Sequence, residues 1–155
     1  MRLARLLPLA LLVAAACGDD VEELPPLAWT WVPIEGSVCS DNSPTGIGIE
    51  RGSGTSPNVL VFLMGGGACW EYLTCFEFRT AAPGPFGAVK LEATIRDERP
   101  GSVLDRTAPG NPYKDFTFVF VPYCTGDVHA GDRSQDYLGA PRRWHHKGRM
   151  NVSKA

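Results

Sequence analysis

Two apolar runs stand out against an otherwise mixed chain. Val59-Leu60-Val61-Phe62-Leu63-Met64 stops at Gly65-Gly66-Gly67, and Phe116-Thr117-Phe118-Val119-Phe120-Val121 stops at Pro122-Tyr123. Short continuous apolar runs bounded by turn signals predict strands buried on both faces, as in a parallel sheet with helices on each side. The pattern before them is weaker. Trp29-Thr30-Trp31-Val32 alternates and opens a strand, Cys39 to Gly46 is turn chemistry, and Ile47 to Glu50 is a short strand. Arg51 to Asn58, which holds Gly52-Ser53-Gly54, reads as a loop returning the chain to Val59, so the strands at Ile47 and Val59 are predicted to pair as a hairpin. Residues 80–112, rich in Pro and Gly, read as mostly loop with one or two helical turns within Gly87 to Arg96. A helix is expected to begin at Asn151 to Ala155. Together these elements predict an α/β fold: a mostly parallel sheet with an N-terminal hairpin and ligand-type loops at the carboxyl ends of its two clearest strands.

The first residues follow a different logic. Arg2 and Arg5 precede an apolar stretch, Leu6 to Ala16, too short to span a bilayer and closed by Ala14-Ala15-Ala16. This predicts an export signal over residues 1–16. Cys17 follows at once, with Gly18-Asp19-Asp20 after it, the arrangement of a bacterial lipoprotein in which Cys17 is acylated and anchors the mature chain to a membrane of the cell envelope. Residues 17–28, with Leu24-Pro25-Pro26-Leu27, then form a tether, and 29–155 form the domain. The 155 residues, 44% of them hydrophobic, suffice for one core, and a formal charge of −2 argues against a nucleic-acid partner.

The glycines carry the first candidate chemistry. Lacking Cβ atoms, Gly65, Gly66 and Gly67 accept positive φ and bring backbone N–H groups close to a bound atom, as a developing oxyanion requires. Four of the five cysteines follow Cys17, and export exposes them to oxidising conditions. They allow three pairings. Cys69 with Cys75 is favoured because it closes a short loop just after the glycines, which leaves Cys39 and Cys124 with their pairing open. Pairs of the CxxC type are absent, so no metal site is expected, and no sequence feature calls for a cofactor. Asp127, His129 and Asp132, with His145-His146 beyond, read as turn formers and solvated surface rather than ligands. The run Arg142, Arg143, His145, His146, Lys147 and Arg149 reads as a solvated helix start.

Four motifs in fixed order carry a resemblance. Cys39-Ser40-Asp41, Gly65-Gly66-Gly67-Ala68-Cys69-Trp70, Pro122-Tyr123-Cys124-Thr125-Gly126-Asp127-Val128-His129-Ala130-Gly131 and His145-His146-Lys147-Gly148 resemble the pectin acetylesterase family, in the manner of a bacterial member, from about Trp29 onward. The resemblance implies an α/β-hydrolase fold and hydrolysis of carboxylic esters such as acetylated polysaccharides through a Ser, Asp, His triad. It implies that Gly66 and Gly67 supply oxyanion-hole N–H groups and that the Tyr123 to Asp132 loop, with Tyr123, Asp127 and His129, walls the pocket. The chain departs from that pattern in one respect. No serine lies in a Gly-x-Ser-x-Gly elbow, and Ser37, Ser53, Ser56 and Ser134 each fail at one or both glycine positions. In these hydrolases the acid and the histidine follow the nucleophile, so Asp127 and His129 cannot take those roles. The expectation is therefore the N-terminal part of an esterase, holding the oxyanion loop and none of the triad. A non-catalytic surface lipoprotein binding through the Tyr123 to Asp132 loop is the rival expectation.

Overall fold

A computed structural model describes residues 24–155. The expected export signal, the acylated Cys17 and most of the tether lie outside the described residues. The domain is a four-stranded mixed sheet in the order β1-β2-β4-β3, with a separate two-stranded ribbon and two helices. Strands β1 (Trp29–Val38) and β2 (Pro44–Glu50) form an antiparallel hairpin. Its turn is fixed by Asp41, whose Oδ1 accepts from the Ser43 amide at 3.0 Å and the Ser43 hydroxyl at 2.5 Å, while Asn42 takes the left-handed φ of 67° that Asn tolerates well. Pro33 lies inside β1, where it removes a backbone donor, and the sheet accommodates it because β1 is an edge strand.

Strand β3 (Val59–Leu63) runs parallel to β4 (Thr117–Val121), and β4 runs antiparallel to β2. One of the three pairings is parallel, which corrects the expectation of a mostly parallel sheet. The expected hairpin between the strands at Ile47 and Val59 is also corrected: β2 pairs with β1 and β4, and β4 separates it from β3. Two consecutive antiparallel strands need only a tight turn, and Cys39–Ser43 provides one. The longer Arg51 to Asn58 connection instead carries the chain past β4 to the far edge.

Helix α1 (Ala88–Glu98) covers one face of this sheet. It turns Leu91 and Ile95 inward, four residues apart and therefore on one helical face, and ends before Pro100 and the positive-φ Gly101. At eleven residues it is longer than the one or two turns expected from the sequence. Its apolar face meets Phe118, Phe120, Phe86 and Leu104, with Trp29, Trp31, Leu60 and Phe62 packed around them. Register explains the set. Leu60 lies beside Phe118 and Phe62 beside Phe120, so alternate positions of β3 and β4 present one apolar surface to α1.

Glu50 pairs in register with Phe118 and is 4% exposed. A lone buried carboxylate there would be costly; Arg106 neutralises it with an Nε–Oε2 contact of 2.7 Å and lies 4.0 Å over the Phe118 ring. The same guanidinium reaches the Glu50 and Lys114 carbonyls, tying the long 99–116 loop to the sheet.

The opposite side chains of β3 have no such cover. Val59 and Val61 are each 55% exposed and Leu63 47%, which corrects the expectation of burial on both faces. The physical reason is position: β3 is the edge of the sheet, and the covering helix lies on one side. Two disulfides hold the ends together. Cys39 pairs with Cys124 across 85 residues, joining the β1–β2 turn to the segment after β4, and Cys69 pairs with Cys75. The second bridge encloses the start of a π-helical turn, Leu73–Glu77. Strands β5 (Arg133–Gln135) and β6 (Trp144–His146) form the ribbon, and α2 (Gly148–Lys154) follows, beginning three residues before the expected helix. The basic run read as a helix start thus begins before β6, crosses it and enters α2 only at Arg149. None of the described helices is long and apolar enough to cross a membrane.

Candidate active site

The end of β3 is where the backbone stops satisfying itself. The Met64 amide still donates to the Val121 carbonyl at 3.1 Å, continuing the parallel ladder by one residue. After it, the N–H groups of Gly65, Gly66 and Gly67 donate no hydrogen bond among the described residues. Their carbonyl neighbours are the opposite case. The Met64 carbonyl accepts from His129 Nε2 at 2.9 Å, the Gly66 carbonyl from the Ala82 amide at 3.0 Å, and the Gly67 carbonyl from the Tyr123 hydroxyl at 2.6 Å. A trans peptide is planar, so a carbonyl fixed in one direction aims the next residue's N–H in the other. Held carbonyls at Met64 and Gly66 therefore orient the Gly65 and Gly67 donors away from the protein groups that hold them.

Glycine is required at two of the three positions. A Cβ on Gly66 would stand 2.3 Å from the Tyr123 ring. At Gly67 it would stand 1.9 Å from the Thr80 carbonyl oxygen, on a backbone with φ of 78°. At Gly65 a Cβ would meet nothing within 4 Å. Gly65 accordingly faces a cavity of about 350 Å³, which Gly66, Gly67, Leu63, Met64, Tyr123, Val128 and His129 also line. Unpaired donors beside an open cavity are an arrangement able to accept an anion.

Tyr123 builds this turn more than any other side chain. It lies two residues beyond β4, is 1% exposed, and its hydroxyl donates to the Gly67 carbonyl while accepting from the Val128 amide at 2.8 Å. Burial pushes its phenol above the ordinary value, which keeps the proton that the Gly67 carbonyl needs. His129 packs against the same ring, tilted by 47° with centroids 4.9 Å apart. Val128 and His129 both have left-handed backbone, φ 50° and 60°. Such conformations cost about 1–3 kcal/mol each for residues with side chains and persist where the surroundings fix them. Here the Tyr123 hydroxyl and the Met64 carbonyl do so.

Of the expected pocket-loop residues, the structure brings Tyr123 and His129 to the glycine cavity and turns Asp127 elsewhere. Asp127 Oδ1 accepts from the Thr125 hydroxyl and Oδ2 from the Gly148 amide, both at 2.7 Å, so its carboxylate anchors α2 to the loop. Asp132 pairs with Lys147 and Arg149, and these cations hold its carboxyl below the usual range. His145 is hydrogen-bonded to Ser134 across the ribbon at 2.8 Å. His146 is buried and bonded to Tyr137 and the Thr125 carbonyl; burial lowers its pKa, which favours neutral imidazole. Sequence reasoning missed the part played by Thr80 and Ala82. They pull the segment after the glycines back against the turn, and a Pro- and Gly-rich stretch gives no periodicity to reveal that.

Comparison with known proteins identifies the family and the fold. The family model for Pectinacetylesterase matches residues 27–154. No curated protein matches the chain. Among solved structures, the Wnt deacylase Notum from Drosophila is similar in two crystal forms. The first shows a TM-score of 0.54 and 18% identity over 84% of this chain and 37% of Notum. The second shows a TM-score of 0.51 and 19% identity over 84% of this chain and 35% of Notum. At such identity the likeness establishes a shared fold, and the chain spans little more than a third of Notum's length. With the family model covering all of the described residues except 24–26 and 155, the chain belongs to the pectinacetylesterase family.

Proposed function

We infer that this chain is the oxyanion-binding portion of an exported carboxylic-ester hydrolase acting on acetylated polysaccharide or similar esters. The observation that carries the reading is the glycine turn: three N–H groups without partners among the described residues, with the flanking carbonyls held away from them, beside a cavity of about 350 Å³. In acyl transfer such donors stabilise the negative oxygen of the tetrahedral intermediate, and losing one donor commonly costs about 10²–10³ in kcat. Gly66 and Gly67 are assigned that role. Tyr123 and His129 position the turn, and the Tyr123 to Asp132 loop forms the wall of the ester site. The nucleophile, its histidine and its acid are assigned to a segment outside these 155 residues, since no Gly-x-Ser-x-Gly elbow occurs within them. Export agrees with two disulfides, which persist in oxidising compartments. Acylation of Cys17 at the cell envelope completes the proposal.

The test begins with the genomic DNA after the Ala155 codon, read for an in-frame Gly-x-Ser-x-Gly segment. The full reading frame is then assayed with 4-nitrophenyl acetate beside the 155-residue chain. Turnover by the full frame, with none by the chain above buffer, is expected. Turnover by the chain alone that disappears in His129→Ala would overturn the assignment.

A further inference from the structure

The Cys69–Cys75 bridge has a third partner that the sequence does not announce. His146 lies 71 residues beyond Cys75 along the chain, yet β6 delivers its ring beside the disulfide. One donor atom from each of Cys69, Cys75 and His146 lies within 4.8 Å of the others, and all three residues are buried. Two thiolates and an imidazole are the donor set of soft and borderline cations, zinc above all. A tetrahedral zinc places such atoms about 3.5–4 Å apart, so once the bridge is opened the two sulfurs separate from bonding distance and the His146 nitrogen, now within 4.8 Å of them, closes in around the ion.

The surroundings of His146 favour ligation at one defined nitrogen. Its Nδ1 lies 3.1 Å from the Thr125 carbonyl, which can only accept, so Nδ1 carries the proton and Nε2 the lone pair. A backbone carbonyl on the far ring nitrogen is the usual outer-shell arrangement of a metal-binding histidine. The Trp144 indole donates to the same carbonyl at 2.9 Å and fixes it in place. Nε2 at present accepts from the Tyr137 hydroxyl at 2.9 Å. Cys69, Tyr137 and His146 all line one cavity of about 330 Å³, which offers an entry path and room for a water in the fourth position.

We propose that Cys69, Cys75 and His146 form a zinc site that opens when the Cys69–Cys75 disulfide is reduced, so that the segment after the oxyanion glycines is stapled either by the bridge or by a metal. The exchange balances as written. A dithiol reductant supplies two electrons and two protons, becoming a disulfide while the bridge becomes two thiols; zinc then displaces both thiol protons to water and takes the Nε2 lone pair. The fully buried Cys39–Cys124 pair has no histidine in its cluster and takes no part.

The test uses the full chain, oxidised and then reduced under argon, titrated with cobalt(II) as a spectroscopic stand-in for zinc. Reduced protein should bind one cobalt per chain with thiolate-to-cobalt charge-transfer and tetrahedral d–d bands, and oxidised protein should show neither. Cys75→Ser should abolish the charge-transfer bands and His146→Gln should weaken binding at least tenfold. Tyr137→Phe should leave the bands in place, because the metal replaces that hydroxyl at Nε2. Should the His146 variant fail to fold, alkylation mapping of wild type decides: zinc should slow modification of Cys69 and Cys75 and leave Cys39 and Cys124 unaffected. Absence of bands in reduced wild type, bands unchanged in His146→Gln, or equal protection of all four cysteines each overturns the site.

Discussion

Replacing Tyr123 with Phe removes one oxygen atom and tests whether the glycine turn is held or merely tolerated. The ring stays, so its contact with Gly66 and its burial are preserved, and what disappears is a hydroxyl serving two backbone groups. The Gly67 carbonyl loses a donor at 2.6 Å and the Val128 amide loses an acceptor at 2.8 Å. A buried group left unpaired costs about 1–3 kcal/mol and a satisfied bond contributes about 0.5–1.5 kcal/mol net. Both bonds are only partly buried, so water recovers part of each, and about 1.5–3 kcal/mol of lost stability is expected. For a domain of this size that corresponds to a melting shift of about 3–10 °C. Amide hydrogen exchange localises the effect: Val128 should lose protection while the β2–β4 ladder keeps it. On the proposed oxyanion role of this turn, kcat of the full reading frame should fall more than KM rises, because loosening the Gly67 carbonyl frees the backbone that carries the Gly66 and Gly67 donors. A loss below about 0.5 kcal/mol with Val128 protection unchanged would refute the claim that this hydroxyl sets the turn.

Three further outcomes follow from the packing. Arg106→Met should destabilise by about 3–5 kcal/mol, because it strands the Glu50 carboxylate beside Phe118, and Glu50→Gln in that background should recover part of the loss; denaturant titration of single and double variants checks this. Opening Cys39–Cys124 with paired alanines should cost more than opening Cys69–Cys75, about 4–5 against about 2 kcal/mol in the chain-entropy account, because the bridges span 85 and 6 residues; equal losses in calorimetry would contradict it. Val61→Lys should reduce self-association in light scattering without lowering stability, since Val61 lies half-exposed in the apolar row of an edge strand.

The legible parts of this fold were those whose signal is local. Val59–Leu63 and Thr117–Val121 are strands because β-branched and aromatic residues accumulate between turn residues, and that much needs no partner. Which strands pair is a different matter. β2 carries nothing in Pro44–Glu50 that distinguishes Val59 from Phe118 as a neighbour, and proximity along the chain favoured the wrong one. The buried Glu50 was equally hidden, because its partner Arg106 arrives from a loop 56 residues away whose composition signals only irregularity.

The site divides along the same line, and the division explains why the glycines were informative where the acids and histidines were not. A glycine's role is written in its own missing Cβ: Gly66 and Gly67 sit where any side chain would strike Tyr123 or Thr80, so three consecutive glycines after a strand already constrain the backbone. Asp127, His129 and His146 have roles written in their surroundings. One carboxylate anchors a helix, one imidazole holds the Met64 carbonyl, and the other imidazole lies against a disulfide, although their local sequence contexts look alike. What separates them is the left-handed backbone at Val128 and His129, which turns the His129 ring toward Met64, away from the side where Asp127 meets Gly148. That bend is fixed by the Tyr123 hydroxyl, the group that also holds the Gly67 carbonyl. A single buried phenol thus couples the donor turn to its wall, and a change that disturbs one is expected to disturb the other.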